Sequence, residues 1–231
     1  MKELTEEVQD LTRQLREENT AKRNSKPSIQ PNNNITHRTT EVPLAKPPDV
    51  IIFHDSICKG INPTLLSREE VNTKMEFAYT LPQLEEKISK ISGVPKVITI
   101  HIGTNDITNN SASEVCDQTI AMISRIHELL PNTKIVWSNL VARDDEQQGK
   151  VDYVNGAINL RYTGSKFVYV ARNSNISITD RKVDRKTKKR IHLKTSGTAK
   201  LASTLKRVIA KALGVELKPR SNSYERHTRR P

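Results

Sequence analysis

Aromatic residues are scarce: three Phe, five Tyr and one Trp make up 4% of the 231 residues. Any core must therefore be built from Ile, Val, Leu and Ala, and an apolar content of 35% leaves part of the chain in solvent. Long apolar runs are missing as well. None approaches the roughly 20 residues that cross a bilayer. The start, MKELTEEVQDL, is charged from its second residue and lacks the apolar stretch of a signal peptide. A soluble protein of the cell interior, cytoplasmic or nuclear, is expected. Cysteine occurs twice, at Cys58 and Cys116. Two isolated thiols make neither a disulfide framework nor a zinc site and suit a reducing compartment. No GxGxxG or P-loop is present, so nucleotide-cofactor chemistry has no support. His54, His101, Asp106 and His192 match no metal-ligand spacing, and neither a cofactor nor a metal is expected.

Positive charge is abundant. Thirty-eight basic residues against 26 acidic ones give a net charge of +12, which attracts polyanions through phosphate neutralisation and counterion release. Basic residues concentrate in RKVDRKTKKR, with Arg181, Lys182, Arg185, Lys186, Lys188, Lys189 and Arg190. They recur in the last residues, where Arg220, Arg226, Arg229 and Arg230 surround Tyr224. Read plainly, the first is a solvated loop and the second a disordered tail. Read functionally, both grip nucleic acid, RNA included.

The chain divides by texture. In residues 1–24, Leu4, Val8, Leu11 and Leu15 recur at the spacing of a coiled-coil seam, which Glu18 and Lys22 then break. A short helix for homo-oligomerisation or a solvated amphipathic helix fits this pattern. Residues 25–48, with five prolines and no apolar period, read as a linker. Residues 49–215 read as the folded domain and 216–231 as a basic disordered tail. Within the domain, apolar runs at Val50–Phe53, Lys96–Ile102, Lys134–Ser138 and Lys166–Val170 read as buried strands, with a weaker one near Val71–Phe77. Helical patterns lie between them, at Leu81–Ile91, Ser113–Leu130 and Val151–Tyr162, and a closing helix spans Ser196–Leu213. Alternating β and α predicts a three-layer α/β/α doubly wound fold around a mainly five-stranded parallel sheet, with its site at the carboxyl ends of the strands.

Three segments bring chemistry to that rim. The first strand ends on His54-Asp55-Ser56, the third on Gly103-Thr104-Asn105-Asp106, and His192 precedes the closing helix. Singly, each has a bland reading: a helix N-cap, a turn, a surface histidine. Together, a serine, an amide donor and a base are the parts for acyl transfer.

"FHDSICKGI", "IGTNDI" and "IHLKTSGTAKLA" resemble the first, third and fifth blocks of the SGNH (GDSL-type) hydrolases over roughly residues 49–213. The resemblance implies esterase or thioesterase chemistry without a metal, on an ester or acyl substrate. Ser56 would be the nucleophile, His192 the base and Asn105 the oxyanion amide, presented by Gly103. Asp55 and His54 form the nucleophile turn. The family's second-block glycine has no counterpart, and Ala78 falls where its N–H would be supplied. His54 replaces the family's leading glycine. Lys189 stands where the family places the acid three residues before the histidine; Asp184 or Asp180 folding back would be substitutes. The alternative reading is a degenerate SGNH module that binds nucleic acid through its basic loop and tail. The order helix, linker, SGNH domain and basic charge also resembles esterase-bearing first-reading-frame proteins of LINE-type retrotransposons.

Overall fold

A computed structural model describes residues 46–66, 70–183 and 190–217. The N-terminal seam, most of the linker and the tail lie outside these residues. Five parallel strands form one sheet in the order β2-β1-β3-β4-β5: β1 is Val50–His54, β2 Thr73–Phe77, β3 Val97–His101, β4 Lys134–Ser138 and β5 Val168–Ala171. The expected doubly wound architecture is thus present.

Each inner strand is apolar on both faces because both are covered. Ile51 and Phe53 of β1 join Ile98, Ile100 and Trp137 against one helical layer: α1 (Leu81–Ile88), α3 (Ala112–Leu129) and α4 (Gln148–Arg161). Val50, Ile52, Val97 and Val136 face the other way, onto Leu201, Leu205 and Ile209 of α5 (Thr195–Leu213). Local signals fix the helix ends. Ser111 and Glu114 form a reciprocal capping box at the start of α3. Gly214, at φ 70°, closes α5 in the left-handed conformation. No helix among the described residues is long and apolar enough to cross a membrane.

The chain leaves β1 for β2, then returns past β1 to β3 and continues outward. That reversal opens a crevice beyond the carboxyl ends of β1 and β3, the usual place for a site in such sheets. Two features depart from the sequence expectation. A four-residue helix, α2 (Asp106–Asn109), follows β3 directly. The basic segment after β5 is no simple loop: its two arms pair as an antiparallel hairpin, β6 (Arg181–Val183) with β7 (Arg190–Leu193).

Candidate active site

The β1–β3 ladder ends at Asp55, whose N–H donates to the His101 carbonyl at 3.1 Å. The chain then turns through a single 3₁₀ turn, Ser56–Cys58. Asp55 caps it: its Oδ1 accepts from the Ile57 N–H at 2.9 Å. Ser56 therefore heads the turn at the rim of the sheet, half-buried, and neither its N–H nor its hydroxyl has a partner among the described residues. Burial pushes the Asp55 carboxyl up to about 6, and Asp106 adds to the rise. The Ile57 N–H, the Thr104 hydroxyl and the Arg181 guanidinium oppose it. His54 lies edge-on to Phe77, with ring centroids 5.9 Å apart, and its Nδ1 is 2.8 Å from the Asp55 carbonyl.

The end of β3 supplies the amide. Gly103 has φ 121°, a backbone conformation that favours glycine, and a Cβ there would press on Leu140 Cδ2 at 3.2 Å. Asn105 Nδ2 donates to the Tyr79 carbonyl at 2.8 Å, and Asp106 Oδ1 accepts from the Leu81 N–H at 3.1 Å. This loop is thereby stitched to the turn that follows β2. Arg143 braces it from the β4 side by donating to the Thr104 carbonyl at 3.3 Å.

Ala78 does not fit the role the sequence suggests. Its N–H donates to the His54 carbonyl at 2.8 Å, because the β1–β2 ladder runs one residue past the strand, and the residue is fully buried. The Tyr79 N–H is also taken, by Gln83 Oε1 at 2.8 Å. The Thr80 N–H is the first in this turn without a partner among the described residues.

His192 is exposed on β7, and β7 lies against the Ser56–Cys58 turn. No carboxylate among the described residues is hydrogen-bonded to it, and its cross-strand neighbour is Lys182. Asp180 does not serve as a substitute acid. Its carboxylate takes Lys200 Nζ at 2.8 Å, Ser196 Oγ at 3.2 Å and the Ser177 N–H at 3.0 Å. The Lys200 ammonium and the Ser177 N–H hold it down at about 2. It fastens the start of α5, and Gly197 is obligatory there since a Cβ would lie 2.8 Å from the Asp180 carbonyl oxygen. Asp184, Arg185, Lys186, Lys188 and Lys189 fall outside the described residues, as do Arg220, Arg226, Arg229 and Arg230.

Two of the three described cations of the basic segment are engaged. Arg181 is 2% exposed. Its guanidinium reaches the carbonyls of Ala142, of Val141 at 3.0 Å and of Arg190 at 3.3 Å, which ties the hairpin to the segment after β4. Arg190 pairs with Asp144 at 3.5 Å. Lys182 remains on the surface.

A buried polar layer beneath the rim escaped sequence reasoning. His101 Nδ1 lies 2.8 Å from Ser138 Oγ, which accepts from Asn173 Nδ2 at 3.0 Å. Burial pulls the His101 imidazole down to about 3, helped by His54 and Arg181, so it is neutral. Each residue ends or follows a different strand, and only the alignment of β3, β4 and β5 brings them together.

No protein-family model matches the chain. A Drosophila melanogaster protein described as platelet-activating factor acetylhydrolase IB subunit beta homolog is 38% identical over 65 residues, 28% of each chain. The chain thus matches little more than a quarter of that curated relative's length. Among solved structures, a lipolytic G-D-S-L family protein from Veillonella parvula aligns at 17% identity and TM-score 0.55, covering 70% of this chain and 98% of that one. A carbohydrate esterase of family 3 from Talaromyces cellulolyticus aligns at 13% identity and TM-score 0.58, covering 72% and 99%. At such identities the likeness establishes the fold.

Proposed function

We propose, from the GDSL-type (SGNH) hydrolase fold that this chain carries, that it is a serine ester or thioester hydrolase of low intrinsic rate. The observation that carries this reading is the rim. Ser56 heads the turn after β1 with its N–H unpartnered among the described residues, Asn105 lies in the loop after the neighbouring strand, and the strand bearing His192 lies against the Ser56 turn.

In this reading Ser56 Oγ attacks the acyl carbonyl, and His192 takes its proton and returns it to the leaving alkoxide or thiolate. Water then attacks the acyl-serine with His192 as base, releasing acid and restoring the serine. The oxyanion is met by the Ser56 N–H and by the Asn105 amide, since the Tyr79 carbonyl engages one of that amide's two N–H groups. The Thr80 N–H takes the place of Ala78's.

The rate is low in this reading because no carboxylate among the described residues orients the His192 ring or stabilises the imidazolium, and Lys189 stands at the family's acid position. Loss of that role costs on the order of 10⁴ in serine proteases. A fluorophosphonate probe should label the wild-type chain slowly and Ser56→Ala not at all. Lys189→Asp should raise kcat/KM toward p-nitrophenyl acetate by about tenfold or more. Labelling that survives Ser56→Ala, or folded wild-type protein that never labels, overturns the serine mechanism.

A further inference from the structure

Of the hairpin's described cations, Arg181 is buried and Arg190 is paired with Asp144, and the described residues gather further cations elsewhere. β5 is the last strand of the sheet, and its open edge borders a groove of about 670 Å³ between the end of α4 and α5. Arg172, Arg207 and Lys211 stand in its wall, all exposed, and among the described residues no carboxylate lines it. Thr204, Arg207, Val208 and Lys211 recur at one-face helical spacing, so α5 turns a continuous stripe toward the groove. Half-buried Tyr162 and Tyr169 add ring surface.

Two further observations point to a ligand. The Thr204 hydroxyl, in a groove-lining residue 1% exposed, has no partner among the described residues. On β5, the Phe167 and Ala171 carbonyls turn inward to the N–H groups of Ile135 and Asn139, at 2.8 and 3.0 Å. Alternation then turns the Val168 carbonyl and the Val170 peptide groups outward to the open edge, while the Val168 N–H donates to Ser165 Oγ at 3.0 Å.

We propose that this edge groove binds single-stranded nucleic acid, with Arg172, Arg207 and Lys211 on the phosphates and the tyrosines against the bases. The charge of the wall selects a polyanion. Concavity and ring surface select a flexible strand with accessible bases over a duplex. The groove shares no residue with the rim that holds Ser56, so its occupancy is independent of hydrolase activity.

The test uses the full chain and a fluorescein-labelled single-stranded oligonucleotide, read by anisotropy at several salt concentrations. Arg207→Gln with Lys211→Gln should flatten the dependence of log K on log salt by about 1.4. Lys90→Gln with Arg125→Gln, which also removes two exposed charges but on the opposite layer, should leave it unchanged. Tyr169→Ala should weaken binding about fivefold or more with the slope retained, and Tyr169→Phe should restore it. Unchanged thermal unfolding verifies that the variants are folded. Equal losses in both double variants would assign binding to net charge, and equal affinity for duplex would remove the single-strand preference; either result overturns the proposal. So would undiminished binding by the groove variants, which would leave the β5 edge to an added peptide strand.

Discussion

Asp55 caps the turn that presents Ser56, and it does so from full burial. Its folded pKa of about 6 lies above its ordinary value of 3.8, so its contribution to stability is complete below pH 4 and lost as the pH rises through 6. His101 works in the opposite sense. Held near 3 in the fold, it contributes fully above pH 6.5 and loses that contribution as the pH falls. The two partly cancel between pH 4 and 6, and a substitution separates them. Asp55→Asn should match the wild type near pH 4 and exceed it by about 3 kcal/mol at pH 7 in urea unfolding. At this scale the sequence is legible where a residue type is demanded by a turn. Gly103 is demanded by its φ, and Ser56 by nothing but its place after a buried strand. Ala78 misleads because one extra rung of sheet pairing is invisible in residue type. Asp180 misleads because its partners, Ser177 and Lys200, lie on either side of the segment it was expected to cross.

The inner strands of the sheet are readable because each is a continuous apolar run needed on both faces, the edge strand β2 (TKMEF) is fainter, and the observed bounds differ from the expected ones by a residue or two. The hairpin β6–β7 is not. Its sequence is a charge run, and its pairing depends on a guanidinium buried against carbonyls some forty residues earlier in the chain. Arg181→Ala leaves the Val141, Ala142 and Arg190 carbonyls without their donor. It should lower stability by about 3 kcal/mol and depress kcat more than KM, because the strand that carries His192 loosens. Arg181→Lys should recover little, since an ammonium cannot fork to several carbonyls. Chemical denaturation together with steady-state ester hydrolysis checks both outcomes.

The described body has two apolar clusters, one on each side of a shared sheet. Leu84 belongs to the α1 side and Leu205 to the α5 side, both fully buried. Leu84→Ala and Leu205→Ala should each cost about 2–5 kcal/mol. Separated by the sheet, they should add within about 0.5 kcal/mol in the double variant. A single urea transition in all three variants would show that the layers fold as one unit. This three-layer organisation is what the alternation of β and α predicts. The rim chemistry follows from the order of the strands, whereas the neutral His101–Ser138–Asn173 layer needs their register.

Cys58 and Cys116 are both free thiols, and the fold places one in each cluster. Burial raises both thiols above their ordinary range, which leaves them unreactive until the surrounding structure opens. The protein thus carries a built-in pair of clocks. Capture of Cys58 by a thiol reagent times the release of the Ser56 turn from α5, and capture of Cys116 times the parting of α3 from the sheet. Under native conditions, Cys58 reacting ahead of Cys116 would mean that the reactive rim breathes while the opposite layer stays shut.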